Sequence, residues 1–391
     1  MPTDTNAGQA TIDAAEGAGR VSIVGYSAGD WPSVRDFVAR HWRADHPLLD
    51  RGLFVWQYRG FGPRVGTQDI RLIRFGGELV GFLGLIPGLF FCDAKPVDGA
   101  SIALWTVRPD LRDRGLGALA LREAIKQHGL LCCVGVNPAA LPLYRKLGFA
   151  ETPALRRWVA PLDRDGVAAL MGGPCEAATV ADDLTPLDPE HGWDFERLVG
   201  IYQRTVMQRF RAGAARTYGY WRWRYACSAG FSYRCFDAEG GCIVARIERV
   251  IAPDRPQADR LAVLRLIEIL PAKASAWDGE VVSATAGLIR GVLAWGRANG
   301  CVLADFQHAS QRLHPTLQAA GMTLVSDEAA WTRKVPGMFQ PLRSDVGPLN
   351  AVWLAGEADA PPISADDLYL VKSDGDMDRP NVWPLPLEYV S

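Results

Sequence analysis

The densest chemical signal in the chain is Arg112-Asp113-Arg114-Gly115-Leu116-Gly117-Ala118. It follows a strand-like run, Leu104-Trp105-Thr106-Val107, and opens a segment of helical periodicity, Leu116–Gln127. The start of a helix offers unpaired N–H groups and the positive end of the dipole to an anion. Gly115 and Gly117 carry no side chain that would hold such an anion away from the backbone. Arg112 and Arg114 add positive charge beside it. This combination suits a pyrophosphate. A dinucleotide fingerprint would need a third glycine and an acid ending the next strand. Position 120 is Ala120 and that strand ends Gly135-Val136-Asn137, so the dinucleotide reading fails.

The surrounding elements can be read from periodicity. Val34, Phe37, Val38 and Trp42 give a helix over Asp30–Trp42, with Asp30 as its N-cap. Ile70–Phe75 and Leu79–Leu85 form a hairpin about Gly76-Gly77-Glu78. Leu130–Val136 is a buried strand. Ala139–Leu147 is a short helix ended by Gly148, and Phe149–Val159 a further strand. A Gly-, Ala-, Pro- and Asp-rich stretch over 161–190 is the expected linker between domains 21–160 and 191–340.

After the linker the order of elements starts again. Phe195–Phe210 is helical, Tyr233–Phe236 and Cys242–Ile247 bracket a turn, and Leu261–Leu270 is a strand. The helix Val281–Asn299, the strand Val302–Phe306 and the helix Ser310–Ala320 follow. Trp56-Gln57-Tyr58 precedes the first hairpin and Trp223-Arg224-Tyr225 the second; Gly148-Phe149 and Gly321-Met322 close the two short helices. Similar offsets between these landmarks argue for one fold used twice. The second copy is degenerate: Pro271–Gly279 has neither the paired glycines nor the arginines, and Leu317 stands where Tyr144 would be.

Val107-x-Pro109-x-x-Arg112-x-Arg114-Gly115-Leu116-Gly117, followed by Leu143-Tyr144-Arg145-Lys146-Leu147-Gly148-Phe149, resembles the acetyl-CoA motif of the GNAT acetyltransferase superfamily. The resemblance is close over residues 100–160 and looser over 21–99. It implies an α/β (α+β) chain of two GNAT-like domains, each a mixed central sheet flanked by helices. Acetyl-CoA would be the acyl donor. Thr106 and Val107 would meet pantetheine through the backbone. Arg112, Asp113, Arg114, Gly115, Leu116, Gly117 and Ala118 would hold the pyrophosphate, with Asn137 beside the pantetheine arm. Tyr144 would act as general acid toward the leaving thiolate. Relatives often carry a carboxylate base on the strand before the glycine turn, and Ser101–Val107 has none. Asp305 and His308 are therefore the base candidates, supplied by the second half. His46, Trp56 and Tyr58 fall on the acceptor side, where an aromatic could stack on a sugar.

The looser features resemble acetyltransferases of bacterial surface-polysaccharide pathways, which implies a nucleotide-linked amino sugar as the small-molecule amine acceptor. A transferase of the mycothiol synthase kind, a tRNA-fed aminoacyl transferase and a non-catalytic coenzyme A-binding protein are the alternatives. The formal net charge of -2 gives no polyanion-binding surface, so nucleic acid is not an expected partner. No apolar run is long enough to span a bilayer, and eight scattered cysteines fit a reducing cytoplasm without disulfides or zinc. Residues 1–20 are expected to be a loose tail. The extension 341–391 holds a strand-like Leu368–Lys372 and then Asp374, Asp376 and Asp378 at alternate positions. That run lacks the other ligands of a calcium loop, so no metal is expected, and its carboxylates are expected to cap N–H groups or meet a polar ligand.

Overall fold

In the computed structural model the described residues are 10–12, 20–61, 69–152, 154–179, 184–347, 349–355, 363–386 and 389. The expected tail 1–20 lies mostly outside them. The first half is built on strands β1 (Val21–Gly25), β2 (Ile70–Phe75), β3 (Glu78–Cys92), β4 (Lys95–Val107), β5 (Leu130–Val134) and β6 (Ala150–Thr152). β1 to β4 run antiparallel in succession, and β5 lies parallel to β4. Helices α1 (Trp31–His41) and α2 (Arg51–Arg59) bury Val34, Phe37, Leu53 and Phe54 on one face. Helices α3 (Leu116–Gln127) and α4 (Leu141–Lys146) cover the other, with Leu116, Ala120, Leu121 and Tyr144 against Ile102 and Leu131.

The second half comprises β7 (Arg156–Pro161), α5 (Arg164–Met171), α6 (Phe195–Thr205), β8 (Ala212–Ala214), β9 (Arg234–Ala238), β10 (Gly241–Arg249), β11 (Ala262–Pro271), α7 (Ser283–Ala298), β12 (Cys301–His308), α8 (His314–Ala319), β13 (Thr323–Leu324), β14 (Ala351–Ala355) and β15 (Leu368–Tyr369). Its sheet runs β9-β10-β11-β12-β7-β13, with β11 and β12 parallel. The halves trade strands. β7, which leaves the first half, lies antiparallel between β12 and β13, and β14 returns between β5 and β6.

Four expectations need correction. The stretch read as linker contains α5, whose Val167 and Leu170 pack with Val302 and Leu303, so the chain passes to the second half between Thr152 and Arg156. The expected strand Phe149–Val159 is accordingly two strands in two sheets. Asp30 sits at the N-cap of α1, but its carboxylate accepts from the Ser27 backbone N–H and hydroxyl at 2.8 Å and does not cap α1. β3 also runs past Leu85 to Cys92 and turns at Asp93-Ala94, both at positive φ. Gly88 is required there, since a Cβ would fall 2.2 Å from Cζ of Phe61.

The repeat is written into the backbone. Gly148 and Gly321 end the matching short helices at φ 89° and 88°. Trp56 and Trp223, 167 residues apart, stack at 5.5 Å. Each indole N–H donates to the other's backbone carbonyl, at 3.0 and 2.8 Å. Such reciprocity is what a local two-fold relation between equivalent residues produces. No helix among the described residues is long and apolar enough to cross a membrane.

Candidate functional site

β4 and β5 pair only from Gly99–Leu130 to Ser101–Cys132. Beyond that the strands part. The register between β3 and β4 slips where Leu83 faces Trp105 and Leu85 faces Ile102, leaving Ala103 and Leu104 as a bulge opposite Gly84. A bulge bends its strand away from a neighbour. Gly84 is needed because the Tyr58 ring occupies the space of a Cβ, at 2.4 Å. On the diverging stretch, the Trp105 indole N–H and the Thr106 hydroxyl are buried with no hydrogen-bond partner. Buried polar groups are normally satisfied; as neighbours on a strand the two orphans face opposite sides of the sheet, and the indole is the one on the side of Gly117 and Tyr144.

The strand end is fixed by Arg112, whose Nε donates to the Val107 carbonyl at 3.1 Å. A 3₁₀ turn over Pro109–Arg114 then delivers Gly115 in the left-handed region (φ 71°, ψ 9°), and α3 begins at once. The N–H groups of Leu116, Gly117 and Ala118 have no intrahelical acceptor at this first turn. No atom lies within 4 Å of a Cβ placed on Gly115, so the approach to these donors is open. Gly117 differs: a Cβ there would press on the Trp105 ring at 3.0 Å, so the indole packs over this glycine. Arg112, Asp113 and Arg114 are exposed around the turn, and the Arg114 guanidinium lies 5.8 Å from the Phe75 ring centre. Asn137, also exposed, accepts from the Ala139 N–H at 3.0 Å and shapes the turn before α4.

Tyr144 projects from α4 toward the fork. It is buried between Trp105 and Phe149, with ring centres 5.4 and 5.0 Å away. Its hydroxyl is hydrogen-bonded to the Cys133 thiol, and burial, reinforced by Cys133, raises its pKa well above the ordinary tyrosine value. Tyr144 therefore keeps its proton throughout the neutral range.

The C-terminal extension adds a carboxylate that the sequence did not single out. The three aspartates of the run separate. Asp374 accepts from its own turn at Val371 N–H and pairs with buried Arg216, while Asp378 pairs with Arg246 at 2.9 Å. Asp376 turns to the first half, where its charge acts on Tyr58, Cys133 and Tyr144 together. Arg379 holds it at 3.5 Å and reaches the His46 ring at 3.2 Å. The extension is anchored at this point by the Ser101 hydroxyl, which donates to the Asp374 carbonyl at 2.5 Å. The only signal in the sequence was the Asp-x-Asp-x-Asp run; which member faces the fork depends on a crossing between halves.

The acceptor-side residues are placed unequally. His46 caps the turn Pro47–Leu49 through Nδ1, and burial depresses its pKa to about 3, so it is neutral. Tyr58 is fully buried behind the bulge, its hydroxyl directed at Leu104. Trp56 is committed to Trp223, so stacking on a sugar is corrected to packing between the repeats.

Asp305 and His308 do not reach Tyr144 and are corrected as base candidates. Asp305 is buried between Arg265 at 2.6 Å and Arg157 at 3.0 Å, and these guanidiniums keep its carboxyl below the usual range. His308 is enclosed by Phe210, Trp277 and Tyr369, and burial pushes its pKa to about 3.

The second half preserves the geometry of the fork but fills it. β11 and β12 pair only from Ala262 to Leu266. The extension then takes over at β12, through the Leu370 carbonyl accepting from Ala309 and a bridge between His308 and Val371. Glu268 on β11 is a carboxylate of the kind that Ser101–Val107 lacks. It is consumed by Arg216, Tyr225 and Tyr369. A 3₁₀ turn over Ala274–Asp278 still ends in left-handed Gly279 (φ 81°, ψ 12°), but α7 starts only at Ser283. The anion-binding helix start is displaced and the strand fork is plugged.

Residues 31–149 match the model of the acetyltransferase (GNAT) family. Among curated proteins, none matches the chain significantly in sequence. Solved structures share its fold at low identity. Saccharomyces cerevisiae N-myristoyltransferase, with bound myristoyl-CoA and inhibitors, is 14% identical with a TM-score of 0.53, over 94% of this chain and 86% of that one. A probable N-acyltransferase from Enterococcus faecalis is 11% identical with a TM-score of 0.52, over 85% and 71%. A GCN5-related N-acetyltransferase from Anabaena variabilis is 14% identical with a TM-score of 0.50, over 85% and 72%. The family match makes the first half an acyltransferase unit with acetyl-CoA as its donor. The open Gly115 turn, the orphaned Trp105 indole N–H and the diverging strand edge fit that donor.

Proposed function

We propose that the chain is a single-site N-acetyltransferase acting on a small amine, with the donor in the first half and the second half forming the far wall of the acceptor pocket. The observation that carries this reading is the asymmetry of the helix starts: Gly115 leads directly into α3 with no atom within 4 Å of a new Cβ, whereas the matching Gly279 is separated from α7. Acetyl-CoA supplies an activated thioester carbonyl. The first-turn N–H groups of α3 and the arginines at 112 and 114 bind the anionic end of the donor. Asp376 receives the acceptor ammonium, takes its proton and leaves the neutral amine to form the new C–N bond. Tyr144 donates its hydroxyl proton toward sulfur as the C–S bond breaks and is restored by the second proton, which the nitrogen sheds as it becomes an amide. With its pKa raised, Tyr144 acts first as a hydrogen-bond donor to the developing thiolate.

The acceptor is assigned less finely by the site. A nucleotide-linked amino sugar of polysaccharide biosynthesis is the proposal that the sequence resemblance supports. With Trp56 engaged elsewhere, any sugar must be held by other groups. The test is free-thiol release from acetyl-CoA against nucleotide-linked amino sugars, amino acids and polyamines. Turnover with one amine class supports the proposal; donor binding without turnover on any amine would favour a coenzyme A-binding regulator.

A further inference from the structure

A cavity of about 620 Å³ lies over the second sheet, away from the glycine turn. Its floor is a row of charge crossing the strands. Arg246 on β10 faces Arg265 on β11, and Arg265 faces Asp305 on β12, all buried. Glu248 bridges the two arginines at 2.7 and 3.3 Å, and Arg157 completes the row from β7. Phe339 lies against it, 5.0 Å from the Arg265 guanidinium. The extension supplies the remaining wall with Lys372, Met377 and Arg379.

The charges do not cancel. Arg157, Arg246 and Arg265 are matched by Asp305, Glu248 and Asp378, and Arg379 by Asp376. Among the described residues Lys372 makes no hydrogen bond or ion pair, and it lines the cavity beside these arginines. Burial, and then Arg265, lower its pKa to about 8. The Gln307 carbonyl oxygen is a second unmatched group: it is buried without a partner, on a residue lining the same space. A half-buried lysine without an ion pair and an unused buried acceptor suit a ligand with an anionic group and an N–H or O–H donor. The volume suits a metabolite. The chamber adjoins the fork: Met377 packs against Gly135 beyond β5, and Arg379 touches both His46 and Asp376.

We infer that this chamber is the acceptor's binding site and that the acceptor carries a carboxylate or phosphate, seated on Lys372 with a donor to Gln307, while its amine extends past Met377 to Asp376. The inference rests on the acyltransfer reading above. The probes are inorganic phosphate and succinate, titrated calorimetrically into protein saturated with coenzyme A, so that the glycine turn is blocked. One of the two should bind, which identifies the anionic group. Lys372→Met, which removes the charge and breaks no ion pair, should weaken that probe by about 10- to 100-fold and leave coenzyme A affinity unchanged. Gln307→Glu should weaken it as well, by adding a negative charge to the chamber. With a confirmed anionic acceptor, Lys372→Met should raise KM and spare kcat. Binding of neither probe, or equal binding to wild type and Lys372→Met, overturns the inference. If phosphate or succinate binds as predicted but coenzyme A does not, the chamber stands and the acyltransfer reading falls.

Discussion

Replacing Tyr144 by Phe separates catalysis from packing. The ring is buried and touches Trp105 and Phe149 edge-on, and Phe keeps both contacts. What is lost is the hydroxyl and its bond to the Cys133 thiol. A neutral hydrogen bond contributes about 0.5–1.5 kcal/mol net, and a thiol partner places this one at the low end. The melting temperature should therefore move by a few degrees at most. The chemical step should respond far more. If the hydroxyl meets the departing sulfur, the rate constant falls by about 10²–10⁴, or about 2.7–5.5 kcal/mol of transition-state stabilisation. The dissociation constant for acetyl-CoA should change little, because the interaction forms as the C–S bond breaks. Single-turnover acetylation of a confirmed acceptor, paired with a donor titration, measures both quantities. A normal rate would refute the role of Tyr144 and leave it as a packed aromatic.

Three other outcomes follow from the same geometry. Asp376→Asn should lower kcat by about 10²-fold or more on an ammonium acceptor and leave donor affinity intact; an unchanged rate from pH 6 to 9 would remove it as the base. A double-mutant cycle of Trp56→Phe and Trp223→Phe should show coupling of about 0.5–1.5 kcal/mol in denaturant unfolding, because the two indoles exchange hydrogen bonds; additivity would argue against that pairing. Acid should destabilise the fold early. His308 titrates near 3 in the native state and 6.5 when unfolded, so its contribution is intact above pH 6.5 and declines as pH falls toward 3. The loss is about 1.4 kcal/mol per pH unit, or about 2 kcal/mol by pH 5. His308→Phe should flatten that slope in melts between pH 7 and 5.

Much of the first site was legible because its parts are local. The strand, the glycine turn and the helix of 104–127 are contiguous, and glycine at a left-handed helix start follows from backbone geometry alone. Gly148 and Gly321 were likewise readable as helix ends, and both sit near φ 90°. What the sequence concealed depends on pairing between distant segments. Strand periodicity cannot say which sheet receives Arg156–Pro161, so the exchange of β7 and β14 was not visible. Asp305 and His308 follow the right strand of the repeat, yet their neighbours Arg157, Arg265 and Trp277 come from elsewhere in the chain and neutralise or enclose them. Gly117 was readable as a glycine facing an anion, but Trp105 is what packs over it. Asp376 was one of three equivalent-looking carboxylates until the extension crossed between the halves.

The central claim, that one half alone holds the donor, can be tested with a matched pair of substitutions. Gly115 and Gly279 end equivalent 3₁₀ turns at nearly the same left-handed dihedrals, and neither has an atom within 4 Å of a new Cβ. Gly115→Glu and Gly279→Glu thus carry the same backbone strain and the same charge, and differ only in which fork they face. Calorimetric titration with coenzyme A, with no acceptor present, reads the difference. Gly115→Glu should weaken binding by about 100-fold or more, and Gly279→Glu should bind like wild type. Equal affinities in the two variants, or loss in Gly279→Glu alone, would contradict the account.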